Sequence, residues 1–240
     1  MNLSFYSAAV GVAEQQQRLN VHGNNIANIN TYGYKTEKPS FAQLMYDNVD
    51  GIDGEILLRG AGSRLDAAET DFKQSSLYDT GLPQDYAIEG DGFFALLDPS
   101  TGEYSYTRDG SFSAATFTPP FVAAPGWYLS DGNGRLVISN TGRPIAMQDP
   151  DTTAAQEVGV FDFINYNGML HLNDNRVVPV EKNGNLQLGR GRVVQGCLER
   201  SNADLANEMT KVIETQRSFS YMMKMIIASD EIENTVNNLR

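Results

Sequence analysis

Apolar positions at both ends of the chain recur with a helical period. Toward the C-terminus, Leu205, Met209, Val212, Gln216, Phe219, Met223 and Ile226 step alternately by four and three residues, which is a heptad seam. Met225, Ser229, Ile232, Val236 and Leu239 continue a stripe in a shifted phase. The spacing predicts a helix over residues 203–238, about 54 Å long at 1.5 Å per residue, with Ser201 or Asn202 as its cap. Near the N-terminus, Phe5, Ala9, Val12, Gln16, Leu19, Gly23 and Ile26 repeat the same stepping. This second helix is expected to weaken at Asn24-Asn25, whose side chains compete for backbone hydrogen bonds. Asn28, Asn30 and Gly33 predict a turn after it. One such stripe fits a helix lying on a β domain. Two matched stripes also fit helix–helix pairing, and small residues Ser7, Ala8, Ala9, Gly11 and Ala13 permit close neighbours on more than one side.

The middle of the chain changes pattern. Asp91-Gly92, Asp109-Gly110, Asp131-Gly132, Asn133-Gly134, Asn167-Gly168 and Asn183-Gly184 are dipeptides that tolerate the positive φ of tight hairpins. Between them lie short apolar or alternating runs at residues 93–97, 136–138, 158–164, 169–172, 176–180 and 186–188. Strands at this spacing predict an antiparallel β domain. Residues 39–84 have fewer apolar runs and read as an extended connector with a strand at 55–58. The expected fold class is mainly β with long α-helices at both termini. It divides into an N-terminal helix and Asn/Gly turn (1–38), a connector (39–84), a central antiparallel β domain (85–198) and a C-terminal helix (199–240).

Charge sharpens the division. The 240-residue chain has a formal charge of −12. Residues 1–38 sum to +1, residues 199–240 to −2 and residues 39–198 to −11. The asymmetry assigns water to the middle and crowded packing to the ends. The acidic balance opposes nucleic-acid binding, which needs a basic surface. No apolar run approaches the roughly 20 residues of a membrane span, and no polybasic anchor is present. The first ten residues lack the basic start and apolar run of a secretory signal. A lone cysteine, Cys197, excludes an internal disulfide and a cysteine-based zinc cluster. His22 and His171 form no local metal pair.

Four blocks carry a resemblance. Asn24-Asn25-Ile26-Ala27-Asn28-Ile29-Asn30-Thr31-Tyr32-Gly33-Tyr34-Lys35 is similar to the N-terminal signature of bacterial flagellar rod and hook proteins. Asp85-Tyr86-Ala87-Ile88-Glu89-Gly90-Asp91-Gly92-Phe93-Phe94 and Tyr106-Thr107-Arg108-Asp109-Gly110-Ser111-Phe112 resemble two further segments of that family. Residues 196–240, with Glu214-Thr215-Gln216-Arg217-Ser218-Phe219, resemble its terminal helix. The length, together with the central blocks, resembles rod proteins of intermediate size, the distal rod type among them. The chain departs from the pattern at 117–127, where Thr118-Pro119-Pro120 and Pro125-Gly126 replace a simple hairpin, and 39–84 match weakly.

The resemblance implies a structural subunit of a helical tube around an export channel, with terminal helices inside and the β domain outside. It implies passage through the flagellar type III export apparatus and partners that are copies of itself and other rod and hook proteins. The location it implies is the basal body, outside the cytoplasmic membrane. On this reading the assembly interface comprises Phe5, Ala9, Val12, Leu19, Ile26, Leu205, Met209, Val212, Phe219, Met223 and Ile226. The turn motif comprises Asn24, Asn25, Asn28 and Gly33, and Gly33→Val is expected to impair assembly more than solubility.

No catalytic, cofactor-binding or metal set emerges. Asp85, Glu89, Asp91 and Asp109 are the nearest candidates for a carboxylate-dependent glycan hydrolase, but nearly all adjoin glycine in turn contexts, where acidic side chains serve backbone geometry. A β module that binds another protein is the remaining alternative.

Overall fold

The computed structural model describes residues 3–43, 47–50, 56–59, 63–118, 122, 124–150 and 152–239. The described residues form two long helices and a set of antiparallel strands, so the fold is mainly β with terminal helices. The chain builds two compact units, one from residues 1–27, 37–71 and 203–240 and the other from 28–36 and 72–202.

In the first unit, helix α1 spans Leu3–Ala27 and helix α2 spans Leu205–Asn238. α1 does not weaken at Asn24-Asn25 as the sequence suggested; it runs through both to Ala27. The reason is that Asn25 directs its side chain away from its own backbone, to Glu37 and Glu208. The cap of α2 also differs from expectation: Asp204 takes the role, its carboxylate accepting from Ala206 N at 3.0 Å. Asn202 is engaged elsewhere, its Oδ1 accepting from Thr36 N at 2.7 Å. The same unit holds an antiparallel pair, Glu37–Gln43 with Ser63–Thr70, whose register shifts between Ser40 and Phe41. A second pair joins Asp47–Asp50 to Ile56–Arg59. Residues 56–58 of the strand expected at 55–58 lie in this pair, and Glu55 and the Gly60-Ala61-Gly62 stretch lie outside the described residues.

In the second unit, the strand Phe93–Leu97 pairs with Tyr104–Thr107, Leu136–Val137 and Val160–Asp162 within one antiparallel sheet. Successive side chains of a strand point to opposite faces. Phe94 and Leu96 therefore enter one core with Tyr86, Ile88, Phe112 and Leu129, and Phe93 and Ala95 enter another with Tyr106, Phe161 and Val177. Burial on both faces explains why this segment is a continuous apolar run rather than an alternating one. The C-terminal block returns to pair with the start of the unit. Arg192–Gln195 lies against Tyr86–Glu89, and Cys197–Glu199 against Leu77–Asp79.

Ser113–Phe117 and Gly126–Ser130 pair across the atypical segment, with Phe117 opposite Gly126. Residues 119–121 and 123 lie outside the described residues. Gly110 and Gly132 correct two turn readings, since neither has positive φ; Gly110 is required for another reason. A Cβ there would lie 1.6 Å from Tyr86 O, so close backbone approach requires the glycine.

Candidate functional site

The two helices run antiparallel, since Gly11 meets Met222 while His22 and Asn25 meet Glu208. The facing seam of α1 is Gly11, Gln15, Arg18, His22 and Asn25. The facing seam of α2 is Glu208, Lys211, Thr215, Ser218 and Met222. Both have heptad spacing, and both sit one residue before the apolar seams that the sequence displays. One residue is about 100° of helix rotation. The facing positions are thus mostly polar or small, with Met222 over Gly11, and the apolar seams fall toward the flanks of that pair.

The flanks are only partly covered. Phe5 is 38%, Leu205 45%, Met209 52% and Met223 38% exposed. Ala9, Val12, Leu19, Ile26, Val212, Phe219 and Ile226 are half-buried. Ile213, Tyr221, Met225 and Ile227 add exposed apolar surface to α2.

Asn25 and Glu208 anchor one end of the polar seam. Asn25 is fully buried. Its Nδ2 donates to Glu37 O at 2.9 Å and to Glu208 Oε2 at 3.2 Å, and its Oδ1 accepts from Glu37 N at 3.0 Å. Glu208 Oε2 also lies 2.7 Å from His22 Nδ1, and Oε1 accepts from Lys211 Nζ at 2.7 Å. Burial pushes the Glu208 carboxyl up, but hydrogen bonds from Lys211, His22 and Asn25 outweigh it and hold the pKa below the ordinary glutamate value.

A second polar centre lies within the other unit. The Glu199 side chain is wholly buried. It accepts from Lys35 Nζ at 2.6 Å, Ser75 N at 2.8 Å and Arg108 Nη1 at 3.4 Å. Lys35 also donates to Lys73 O at 2.8 Å, and Arg108 Nη2 to Gly90 O at 2.9 Å. Gly33 N donates to Glu199 O at 2.8 Å. Gly33 has φ +67°, and a Cβ there would lie 2.4 Å from Asp109 N. The residue is thus fixed by conformation and by space at once.

The other turn-motif residues are less central. Asn24 is exposed. Asn28 is half-buried and opens the turn after α1, with Thr31 Oγ1 donating to its Oδ1 at 3.2 Å. Sequence reasoning missed Lys35, Arg108, Glu199, His22 and Glu208 as a set. Lys35, Arg108, Glu199 and Glu208 lie inside motif blocks and His22 just before the first, but spacing alone does not join them. Of the acids weighed for hydrolysis, Asp85 and Asp109 hold local turns, whereas Glu89 is exposed at the end of the strand Tyr86–Glu89 and Asp91 is exposed in the loop after it. Asp85 accepts from Thr80 Oγ1 at 2.6 Å, and Asp109 accepts from Ser111 N at 3.0 Å. Among the described residues no three His, Cys, Asp or Glu side chains are placed to hold a metal ion. No described helix is long and apolar enough to cross a membrane.

Three family descriptions match the chain. Residues 5–35 match the flagella basal body rod protein family, residues 87–149 the flagellar hook protein FlgE/F/G D1 domain, and residues 194–239 the flagellar basal body rod FlgEFG protein C-terminal family. The flagellar basal-body rod protein FlgG of Borreliella burgdorferi is 31% identical, over 100% of this chain and 99% of that relative. The chain belongs to the flagellar basal-body rod and hook protein family. FlgG of Bacillus subtilis is 30% identical over 99% of this chain and 98% of its own length. The flagellar hook-basal body complex protein FlhP of the same organism is 26% identical over 99% of both chains.

Membership in the rod and hook family gives the chain a structural role in the flagellum. It also orders the geometry. Lys35, Arg108 and Glu199 each come from a different matched segment and meet in one buried cluster. Asn25 and Glu208 likewise come from the first and last matched segments.

Proposed function

We propose that this chain is a subunit of the flagellar basal-body rod that self-assembles through its terminal helices into a helical tube. The tube surrounds an export channel and transmits torque. The observation that carries this reading is the one-residue offset between seams: the helices pair within the chain through polar residues and leave Phe5, Leu205, Met209 and Met223 exposed. A fully buried Leu, Phe or Met side chain contributes about 1.5–3 kcal/mol before ordering costs, so covering these flanks with other copies is a sufficient driving force. The interface is Phe5, Ala9, Val12, Leu19, Ile26, Leu205, Met209, Val212, Phe219, Met223 and Ile226.

In this assembly residues 1–38 and 199–240 are inner segments. The β domain of 85–198, which lies within the strongly acidic middle of the chain, faces outward, with 39–84 connecting them. Its partners are copies of itself, other rod and hook proteins and, during delivery, the type III export apparatus. Its place is the basal body, outside the cytoplasmic membrane. The relatives' names, basal-body rod protein and hook-basal body complex protein, support the location.

The test is self-association of the full chain by sedimentation and electron microscopy. Concentration-dependent tubes or protofilaments are expected, and deletion of residues 1–30 or 203–240 abolishes them. A chain that remains monomeric at every concentration, or deletion variants that assemble normally, overturn the reading.

A further inference from the structure

The α1–α2 pair is uneven. α1 begins at Leu3 and meets Met222 through Gly11, whereas α2 continues to Asn238. Every described residue from Asp230 to Leu239 is exposed. This overhang is about 15 Å long at helical rise. It presents Ile232, Val236 and Leu239 to solvent, and it carries Asp230, Glu231 and Glu233, none ion-paired with a described residue.

Toward the other end of the pair lies a groove of about 570 Å³ whose walls include Arg18, His22, Lys38 and Lys211, with Glu214 as its one carboxylate. Lys211 is engaged by Glu208, and Lys38 by Asp71 at 2.6 Å, although the Lys38 side chain remains 57% exposed. Arg18 stacks at 4.1 Å over the Phe41 ring and forms no ion pair with a described residue.

We propose that the acidic overhang of one copy docks in the Arg18–Lys38 groove of the next. The proposal rests on the self-assembly reading and specifies one contact within it. The Arg18 guanidinium, with no ion pair to a described residue, and the partly exposed Lys38 line this groove, and three carboxylates without an ion pair to a described residue lie on the overhang. The two surfaces are complementary in charge and different in structure. A contact between unlike patches is heterologous, and heterologous contacts that do not close propagate into helical filaments. Docking would also cover Ile232 and Val236, which are 59% and 55% exposed.

Sedimentation velocity of the full chain tests it, using Arg18→Glu, the pair Glu231→Lys/Glu233→Lys, and the three changes together. Each reversal alone is expected to weaken association by about tenfold or more, because it places like charges together. The combination restores it, and wild-type association falls as salt rises. If Arg18→Glu loses the circular dichroism of the folded chain, Lys38→Glu replaces it. Association indifferent to both reversals assigns the groove to some other acidic partner and overturns this contact while leaving self-assembly standing. Failure of the combined variant to recover also overturns it, and a wild-type chain that never associates overturns both.

Discussion

Asn25 holds the backbone of Glu37 with both ends of its carboxamide, accepting from Glu37 N at 3.0 Å and donating to Glu37 O at 2.9 Å. This two-way exchange is what paired strand residues do with their own backbones; here a helix side chain does it at the start of the strand Glu37–Gln43. The second hydrogen on Nδ2 reaches Glu208 at 3.2 Å. Only an amide offers one acceptor and two donors from a group of this size. That chemistry explains the second asparagine of the Asn24-Asn25 block, while Asn24 beside it is exposed.

Asn25→Asp should therefore be severe. It removes two donors in a buried site and sets a second carboxylate next to Glu208. A buried polar group left unsatisfied costs about 1–3 kcal/mol and a charged one more, so a loss of about 3 kcal/mol or more is expected in denaturant unfolding. Asn24→Asp, on the exposed neighbour, should stay within about 0.5 kcal/mol of wild type. Equal effects at the two positions would remove the special status given to Asn25.

The helices, the β domain and the segment Phe93–Leu97 were legible because periodicity reports burial directly. Which seam faces which was not legible. Apolar spacing marks surfaces that want cover, and in α1 and α2 those surfaces are not the ones used within the chain. His22, Asn25 and Glu208 are buried because they satisfy one another, a property that appears only once residues 183 or more positions apart are brought together. Gly33 shows the same limit. Its turn was predicted, yet the 2.4 Å approach to Asp109 N means Gly33→Val should destabilise the folded unit itself and not assembly alone.

Gly11 fixes how closely the helices approach. A Cβ there would lie 2.7 Å from Met222 Sδ, the mobile end of a flexible side chain. Gly11→Ala should be tolerated: the thioether shifts, and the gain in helix propensity of up to about 1 kcal/mol offsets the crowding. Gly11→Leu cannot be absorbed this way and should cost about 1–3 kcal/mol, as overpacking does. Thermal unfolding of the two variants decides the point, and a Leu variant as stable as the Ala variant would count against this close contact.

Glu199 is ion-paired with both buried cations, Lys35 and Arg108. Glu199→Gln keeps the shape but removes the carboxylate charge from both ion pairs. Breaking a buried charge pair from one side costs about 3–5 kcal/mol, and this variant should lose a comparable amount. Glu89→Gln, an exposed carboxylate on the strand Tyr86–Glu89, serves as the control and should stay near wild type. The readout is near-ultraviolet circular dichroism during urea unfolding. A Gln variant with unchanged midpoint would show that the cluster contributes nothing to stability.

Glu208 gives the helix pair a pH dependence whose sign is fixed. Its folded pKa is held below its unfolded value by Lys211, His22 and Asn25 against the opposing effect of burial. A depressed carboxyl contributes stability that is complete above the unfolded value, about 4.3 for glutamate. That contribution is lost as pH falls through the folded pKa. Acid should therefore weaken the α1–α2 pair, and Glu208→Gln should be less stable than wild type at neutral pH. Below the folded pKa the gap should narrow, since the wild-type carboxyl is then neutral too. The stability difference between the two proteins, measured from about pH 7 to about pH 3, is the relevant quantity. A difference that stays constant over that range would mean that Glu208 acts through its shape and hydrogen bonds alone, with no contribution from its charge.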